Sequence, residues 1–369
     1  MKQLMDIIRR HVSLHGRLES MEVQLIDDRH YAETMDRTVL PALAACRREG
    51  WMEPSHAHTI PAPTPGKLHY VCYDSAKFDA IRENGATATF RGAVVISHGF
   101  TEFAERFAEL AWYLLLDGFS VCILEHRGHG YSPRDVDDES LVWIDDWHRY
   151  VDDLAKFCST IGQDYAIGQP IYLYGHSMGG GIAAALLERY PTIIDKAVLS
   201  APMIALKSGM PLWIAPTVAE LACAIGLGQH AAPGQKAFSE DFDEDFYRTL
   251  SLPRARWVHD LRLKHPEYHT NAATFGWVRE GLRMYKSIMR QSACEQVETP
   301  LLIFQAENDT YVLPKPQNKF AAQVRAGGCP VQLVRLVRSR HEMTTERNEI
   351  MQQYVKRILE FLHTPLAEE

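Results

Sequence analysis

From residue 67 onward the chain alternates short apolar runs with longer amphipathic ones. The runs AVVIS (93–97), FSVCILE (119–125), PIYLYG (170–175), KAVLSA (196–201), PLLIFQA (300–306) and PVQLVRLV (330–337) are apolar at successive positions and too short for helices. That is the pattern of strands buried on both faces. Between the earlier runs, FAERFAELAWYLLLDG, WIDDWHRYVDDLAKFCSTIG and GGGIAAALLERYP have helical spacing and stop at Gly or Pro. Strand and helix taking turns predicts an α/β fold with a mostly parallel central sheet flanked by crossover helices.

The alternation breaks twice. Between Pro202 and Ala293 it gives way to mixed Trp, Met, Pro and helical stretches, far longer than one crossover needs. This predicts an inserted helical cap over 203–293, dividing the core into 67–202 and 294–369. Residues 1–66 are charged and patchily amphipathic and end in the run PSHAHTIPAPTPG, which reads as an N-terminal helical extension and linker. A chain of 369 residues, 46% hydrophobic and 23% charged, suits one large packed core carrying an insertion.

A net charge of -8 leaves no basic footprint for nucleic acid. The seven cysteines are odd in number and never form CxxC, so a disulfide framework and a zinc knuckle are both poorly matched and a reducing compartment fits. MKQLMDIIRRHVSLHG lacks the apolar core of a secretion signal. The most apolar later stretch, Pro211 to Gly228, is interrupted by Pro216 and Glu220. The expectation is a cytoplasmic protein, with peripheral contact at the inner face of a membrane left open.

The strongest chemical signal is PIYLYG running into GHSMGG, a G-x-S-x-G match between a strand and a helix. Such a turn lifts the Ser177 hydroxyl above the sheet, and it needs small neighbours, here Gly175 and Gly179. The helix start behind it offers the Met178 N–H as one oxyanion donor. The loop after AVVIS, in SHGF, offers the Phe100 N–H as the second, with His98 orienting the loop. Partners follow in the order Ser, acid, His at the ends of later strands. ENDTYV after PLLIFQA supplies Asp309, with Glu307 the competing carboxylate, and RSRHEM after PVQLVRLV supplies His341. A neutral imidazole can take the Ser177 proton and return it to the leaving group.

No metal or cofactor is called for. His259, His265 and His269 cluster in HDLRLKHPEYH, but Pro266 interrupts the helix on which two of them might share a face, and HExxH is absent.

SHGFTEFAERFAELAWYLLLDGFSV, EHRGHGYS, WHRYVDDL, GHSMGGGIA, LSAPM, TFGWVREGL and TPLLIFQAENDTYV occur in one order. Together they resemble the bacterial lysophospholipase and monoacylglycerol lipase branch of the α/β-hydrolases over roughly residues 67–363. The resemblance implies hydrolysis of a fatty-acyl ester on a mono-acylated lipid, through a Ser177, Asp309 and His341 triad and an acyl-enzyme. It also implies a cap forming the acyl tunnel, where Met203, Met210, Leu212, Trp213, Ile214 and Trp277 are expected, simple packing being the other reading of those residues. Glu125 stands where the family often has Asp, and the first sixty or so residues match nothing in it.

Three other readings stay open. An esterase for a small soluble ester shares the same core motifs. A proline-releasing aminopeptidase needs a carboxylate anchor in the cap, for which Asp241, Asp243, Glu244 and Asp245 are candidates, although a solvated acidic face explains them as well. A lipid-binding module on a hydrolase scaffold leaves the intact triad unexplained.

Overall fold

The computed structural model describes residues 23–55, 66–80, 88–207 and 209–365. The first part of the expected N-terminal extension and most of the Pro-rich run lie outside them.

The strands are β1 (Arg47–Met52), β2 (Leu68–Tyr73), β3 (Gly92–Ser97), β4 (Phe119–Leu124), β5 (Leu141–Val142), β6 (Ile171–His176), β7 (Lys196–Ser200), β8 (Ala272–Ala273), β9 (Leu301–Ala306) and β10 (Val331–Leu336). Eight of them form one sheet in the order β1-β2-β4-β3-β6-β7-β9-β10, and β5 pairs with β8 apart from it. β2 runs antiparallel to its neighbours β1 and β4, and the pairs from β4 to β10 are parallel. Alternate residues of the central strands enter separate cores. Ala93, Val95, Ile171 and Leu173 face one, and Val94, Ile96, Tyr172 and Tyr174 face the other, so both faces of the sheet are covered, as parallel strands require.

The principal helices are α1 (Ala108–Leu116), α2 (His148–Phe157), α3 (Met178–Arg189), α4 (Ala215–Ala224), α5 (Leu252–Lys264), α6 (Phe275–Ile288), α7 (Pro314–Ala326) and α8 (Asn348–His363). Helices α4, α5 and α6 lie between β7 and β9, in the segment termed the cap below.

Two elements depart from expectation. Residues 28–46 are helical, but Arg47–Met52, placed with the helical extension on sequence, is a strand at the sheet edge. RREGWM buries only Met52, because an edge strand with one solvent-facing side carries no apolar run. β10 was expected to be buried on both faces, yet it forms the opposite edge and most of its residues are half-buried or exposed.

Candidate active site

Ser177 follows β6, one of the central strands, and caps α3 with φ 51° and ψ -116°. A non-glycine residue held at positive φ stores strain that its surroundings must over-determine. Here the Ser177 N–H donates to Ser200 O (3.0 Å), and its carbonyl accepts from Gly181 N (3.1 Å) and Met203 N (2.7 Å). Close packing beneath the turn excludes side chains. A Cβ on Gly179 would stand 2.1 Å from Ser97 O, and one on Gly175 would stand 2.8 Å from Gly179 O.

The two other predicted residues meet Ser177 from the far strands. His341, in the loop after β10, is bonded through Nε2 to Ser177 Oγ at 2.7 Å and through Nδ1 to Asp309 Oδ2 at 2.8 Å. Asp309 follows β9, and its Oδ1 accepts from the N–H groups of Tyr311 (2.8 Å) and Val312 (3.0 Å), which fixes the carboxylate. Glu307 points elsewhere, accepting from Arg338 N at 2.8 Å and pairing with Arg335. Burial by itself would lower the His341 pKa. The bond to Asp309 and the charges of Asp309, Glu342 and Glu102 override it and raise the pKa above 6.5.

Met178 opens α3, and Phe100 sits in the loop after β3. Among the described residues neither N–H is hydrogen-bonded within the chain. The Phe100 loop is held by Gly99 N–H donating to the Glu102 carboxylate and by Glu102 N–H donating back to Gly99 O (3.3 Å). His98 accepts from His126 N–H at 2.9 Å through Nε2 and donates from Nδ1 to Gly99 O at 2.8 Å. That is one neutral tautomer with both nitrogens engaged, and burial lowers its pKa.

A charged cluster behind His341 was not singled out on sequence. Arg106 lies 2.6 Å from Glu102 and is bonded to Glu342, and His176 stands within 4.0 Å of both carboxylates. Burial would raise the Glu342 pKa, but the charges of Arg106, His176 and His341 hold the carboxyl down at about 2. His176, His341 and Glu342 approach one another at metal-ligand spacing, but both nitrogens of His341 are already engaged. The i, i+4 spacing of Glu102 and Arg106 in TEFAER was the available signal. Glu125 is fully buried and accepts from Ala104 N (2.9 Å), Tyr131 N (2.7 Å) and His69 Nδ1 (2.9 Å), tying the EHRGHGYS loop to β2.

The residues expected to line an acyl tunnel split. Met203 and Trp277 share a cavity with Ile144, Met178, Ile182 and Met284, next to the Ser177 turn. The free space there is about 10 Å³, on the order of one water. Leu212 packs on the outer helix pair α4 and α6, Ile214 is half-buried there, and Met210 and Trp213 are exposed. The physical reason is that α4 turns Ala215, Ala219 and Ala222 inward, too small to bring its bulky neighbours into the interior. His259, His265 and His269 are not gathered. They engage Glu240 O, Tyr131 Oη and Arg262 O respectively.

A family model described as serine aminopeptidase, S33 matches residues 88–348. Lysophospholipase L2 of Escherichia coli is 30% identical over 286 residues, covering 73% of this chain and 80% of that protein. Probable lysophospholipase L2 of Haemophilus influenzae is 28% identical over 273 residues, covering 74% and 84%. The structure of a soluble variant of Saccharomyces cerevisiae monoglyceride lipase in complex with a substrate analog superposes with a TM-score of 0.59 at 18% identity, covering 84% of this chain and 98% of that one. With the strand order and the Ser177 turn, this likeness establishes the α/β-hydrolase fold, and the match across residues 88–348 establishes that the chain belongs to the S33 family of that fold.

Proposed function

We propose that the chain is a serine ester hydrolase acting on a mono-acylated lipid, a lysophospholipid or a monoacylglycerol. The observation that carries this is the continuous relay from Ser177 Oγ through His341 to Asp309, with bonds of 2.7 and 2.8 Å. In the proposed reaction His341 Nε2 takes the Ser177 proton as Oγ attacks the ester carbonyl. The N–H groups of Phe100 and Met178 receive the developing oxyanion. Imidazolium His341 then protonates the departing alcohol, leaving an acyl group on Ser177. Water, deprotonated by the same nitrogen, attacks the acyl-enzyme and releases the fatty acid. Asp309 keeps Nδ1 protonated and stabilises the imidazolium without taking its proton.

The lipid part of the reading draws on the lysophospholipase and monoglyceride lipase relatives and on the apolar lining beside Ser177. With room for only about one water, a long acyl chain enters only if Met203, Met284 and Trp277 move, and unbranched methionine adapts readily. The cap's outer face supports contact with a lipid surface: Trp213 is 80%, Leu221 62% and Ile225 67% exposed, three large apolar side chains left to solvent within one short stretch of the cap. No helix among the described residues is long and apolar enough to cross a membrane, so the proposed contact is peripheral.

The narrow cavity favours one second reading, a small soluble ester. Of the acidic residues considered as an amine anchor, Asp243 caps a helical turn and Glu244 pairs with Arg256. Glu102 and Glu342, the carboxylates nearest Ser177 in the cluster above, are both held by Arg106. The test is hydrolysis of lysophosphatidylcholine and a monoacylglycerol, read as fatty-acid release, and of a short p-nitrophenyl ester and a proline amide, read as p-nitrophenol and amine release, by wild type and by Ser177→Ala. Ser177-dependent preference for a long-chain lipid is expected; Ser177-dependent turnover of the short ester or the amide alone overturns the lipid assignment.

A further inference from the structure

The residues of the proposed relay leave the sheet from unequal positions. Ser177 follows β6, flanked by β3 and β7, and Asp309 follows β9, flanked by β7 and β10. His341 follows β10, which has a strand on one side only. The loop carrying the base therefore lacks the two-sided support of the nucleophile turn and needs a hold from outside the sheet.

That hold is built by Arg254, inside the family match at 88–348, together with residues ahead of that match. Arg254 of α5 is 1% exposed and joins four segments. Its Nε and Nη2 donate to Glu109 of α1 at 2.8 and 2.7 Å. Its Nη1 donates to Asp28 Oδ1 at 2.5 Å and to Glu346 O at 3.2 Å. Tyr31 closes the cluster, donating to Glu109 at 3.0 Å, with its ring 5.1 Å below the guanidinium and edge-on to Trp257. Backbone bonds reinforce it: Ile26 N–H donates to Tyr113 Oη (2.9 Å), Asn348 Nδ2 donates to Ile26 O (3.0 Å) and Ser251 N–H donates to Thr345 O (3.0 Å).

Glu346, gripped at its carbonyl by Arg254, accepts from Arg340 N–H through its own side chain, so the loop from Arg340 to Glu346 is closed around His341. A path of direct bonds thus runs from Asp28 through Arg254 and Glu346 to the residue preceding the proposed base.

We infer that the N-terminal segment around Asp28 and Tyr31 is a brace that positions His341 for catalysis, with Arg254 as its central positioning residue. The inference rests on His341 acting as the base. A brace of this kind acts on the reacting geometry, so it governs kcat; the acyl cavity of Met203, Trp277 and Met284 is lined by other segments, so KM is spared.

The experiment measures kcat and KM, normalised to the folded fraction from thermal unfolding, on a short p-nitrophenyl ester and a long-chain monoacylglycerol. The variants are Arg254→Met, the pair Asp28→Ala/Tyr31→Ala, the conservative pair Asp28→Glu/Tyr31→Phe, and Ser177→Ala. Arg254→Met strands the Glu109 carboxylate and can fail to fold; the alanine pair leaves that ion pair in place and carries the test. The expected result is a fall in kcat of about tenfold, since small misplacements of a catalytic group are costly, equal on both substrates and with KM unchanged, most of it restored in the conservative pair. Unchanged kcat, a rise in KM alone, or an effect confined to the long-chain ester overturns the brace. Turnover surviving Ser177→Ala would instead overturn the serine-hydrolase reading itself.

Discussion

On the core side of the candidate site, Ser177, His341 and Asp309 are each tied to named partners. In the cap, α4 turns alanines inward, while Leu221 on it and Trp213 and Ile225 beside its ends point outward. On the core side the strained Ser177 turn and the buried His341 are held by directed hydrogen bonds. The cap wall of the cavity is lined mostly by apolar side chains, Glu280 being the charged exception, and apolar contacts have no required direction and tolerate rearrangement. On the proposed reading this division puts bond chemistry at the strand ends and substrate choice in the cap, so the two should be separable by mutation.

The largest effect belongs to the core. Ser177→Ala and His341→Ala should each lower kcat by roughly 10⁴- to 10⁶-fold, because such residues act as a unit. Circular dichroism should show the fold retained, and a variant keeping wild-type turnover would remove that residue from the reaction.

Asp309→Asn comes next, with a loss of about 10⁴-fold in kcat expected from the wrong imidazole tautomer. Glu307→Gln, which breaks only partly exposed contacts, should stay within about twofold. The pH profile sharpens the contrast. The proposed base must be neutral to act; the His341 pKa is raised above 6.5 by Asp309 against the opposing effect of burial, so kcat/KM should fall as pH drops through that raised value. In Asp309→Asn the acid limb should move to lower pH. An unshifted limb would mean that Asp309 does not govern the base.

On the cap side the effects are smaller and depend on the substrate. Trp277→Ala removes an apolar wall whose burial contributes about 1.5–3 kcal/mol. It should alter KM for a long-chain ester by roughly tenfold while leaving a short ester within about twofold. Equal effects on both substrates would place Trp277 outside an acyl site. The smallest change is expected from Trp213→Ser with Leu221→Ser: weaker flotation with phosphatidylcholine vesicles and an unaltered rate on a dissolved short ester. Unchanged flotation would remove the outer face of α4 as a lipid contact.

Legibility in the sequence followed the same division. β3, β4, β6, β7 and β9 were readable because burial on both faces forces continuous apolar runs. β1 was not, since RREGWM at an edge has the composition of a loop. That Ser177, Asp309 and His341 meet could be anticipated because each occupies a strand end in a known order, while the contact of His341 with Asp309 rather than Glu307 depends on bonds that no spacing encodes. Arg254 was invisible: its partners Asp28, Glu109 and Glu346 are scattered along the chain, and an arginine in a polar helix reads as solvated. The cap residues were least legible, because an inverted helix with alanine inside has no periodicity that separates lining from surface.

The most direct test of the central claim is to incubate the protein with an alkyl fluorophosphonate and map the adduct by peptide mass spectrometry. A single adduct on Ser177 is expected, formed rapidly at neutral pH, greatly slowed by His341→Ala and absent from Ser177→Ala. An adduct on another residue, or no adduct while ester turnover continues, would contradict it.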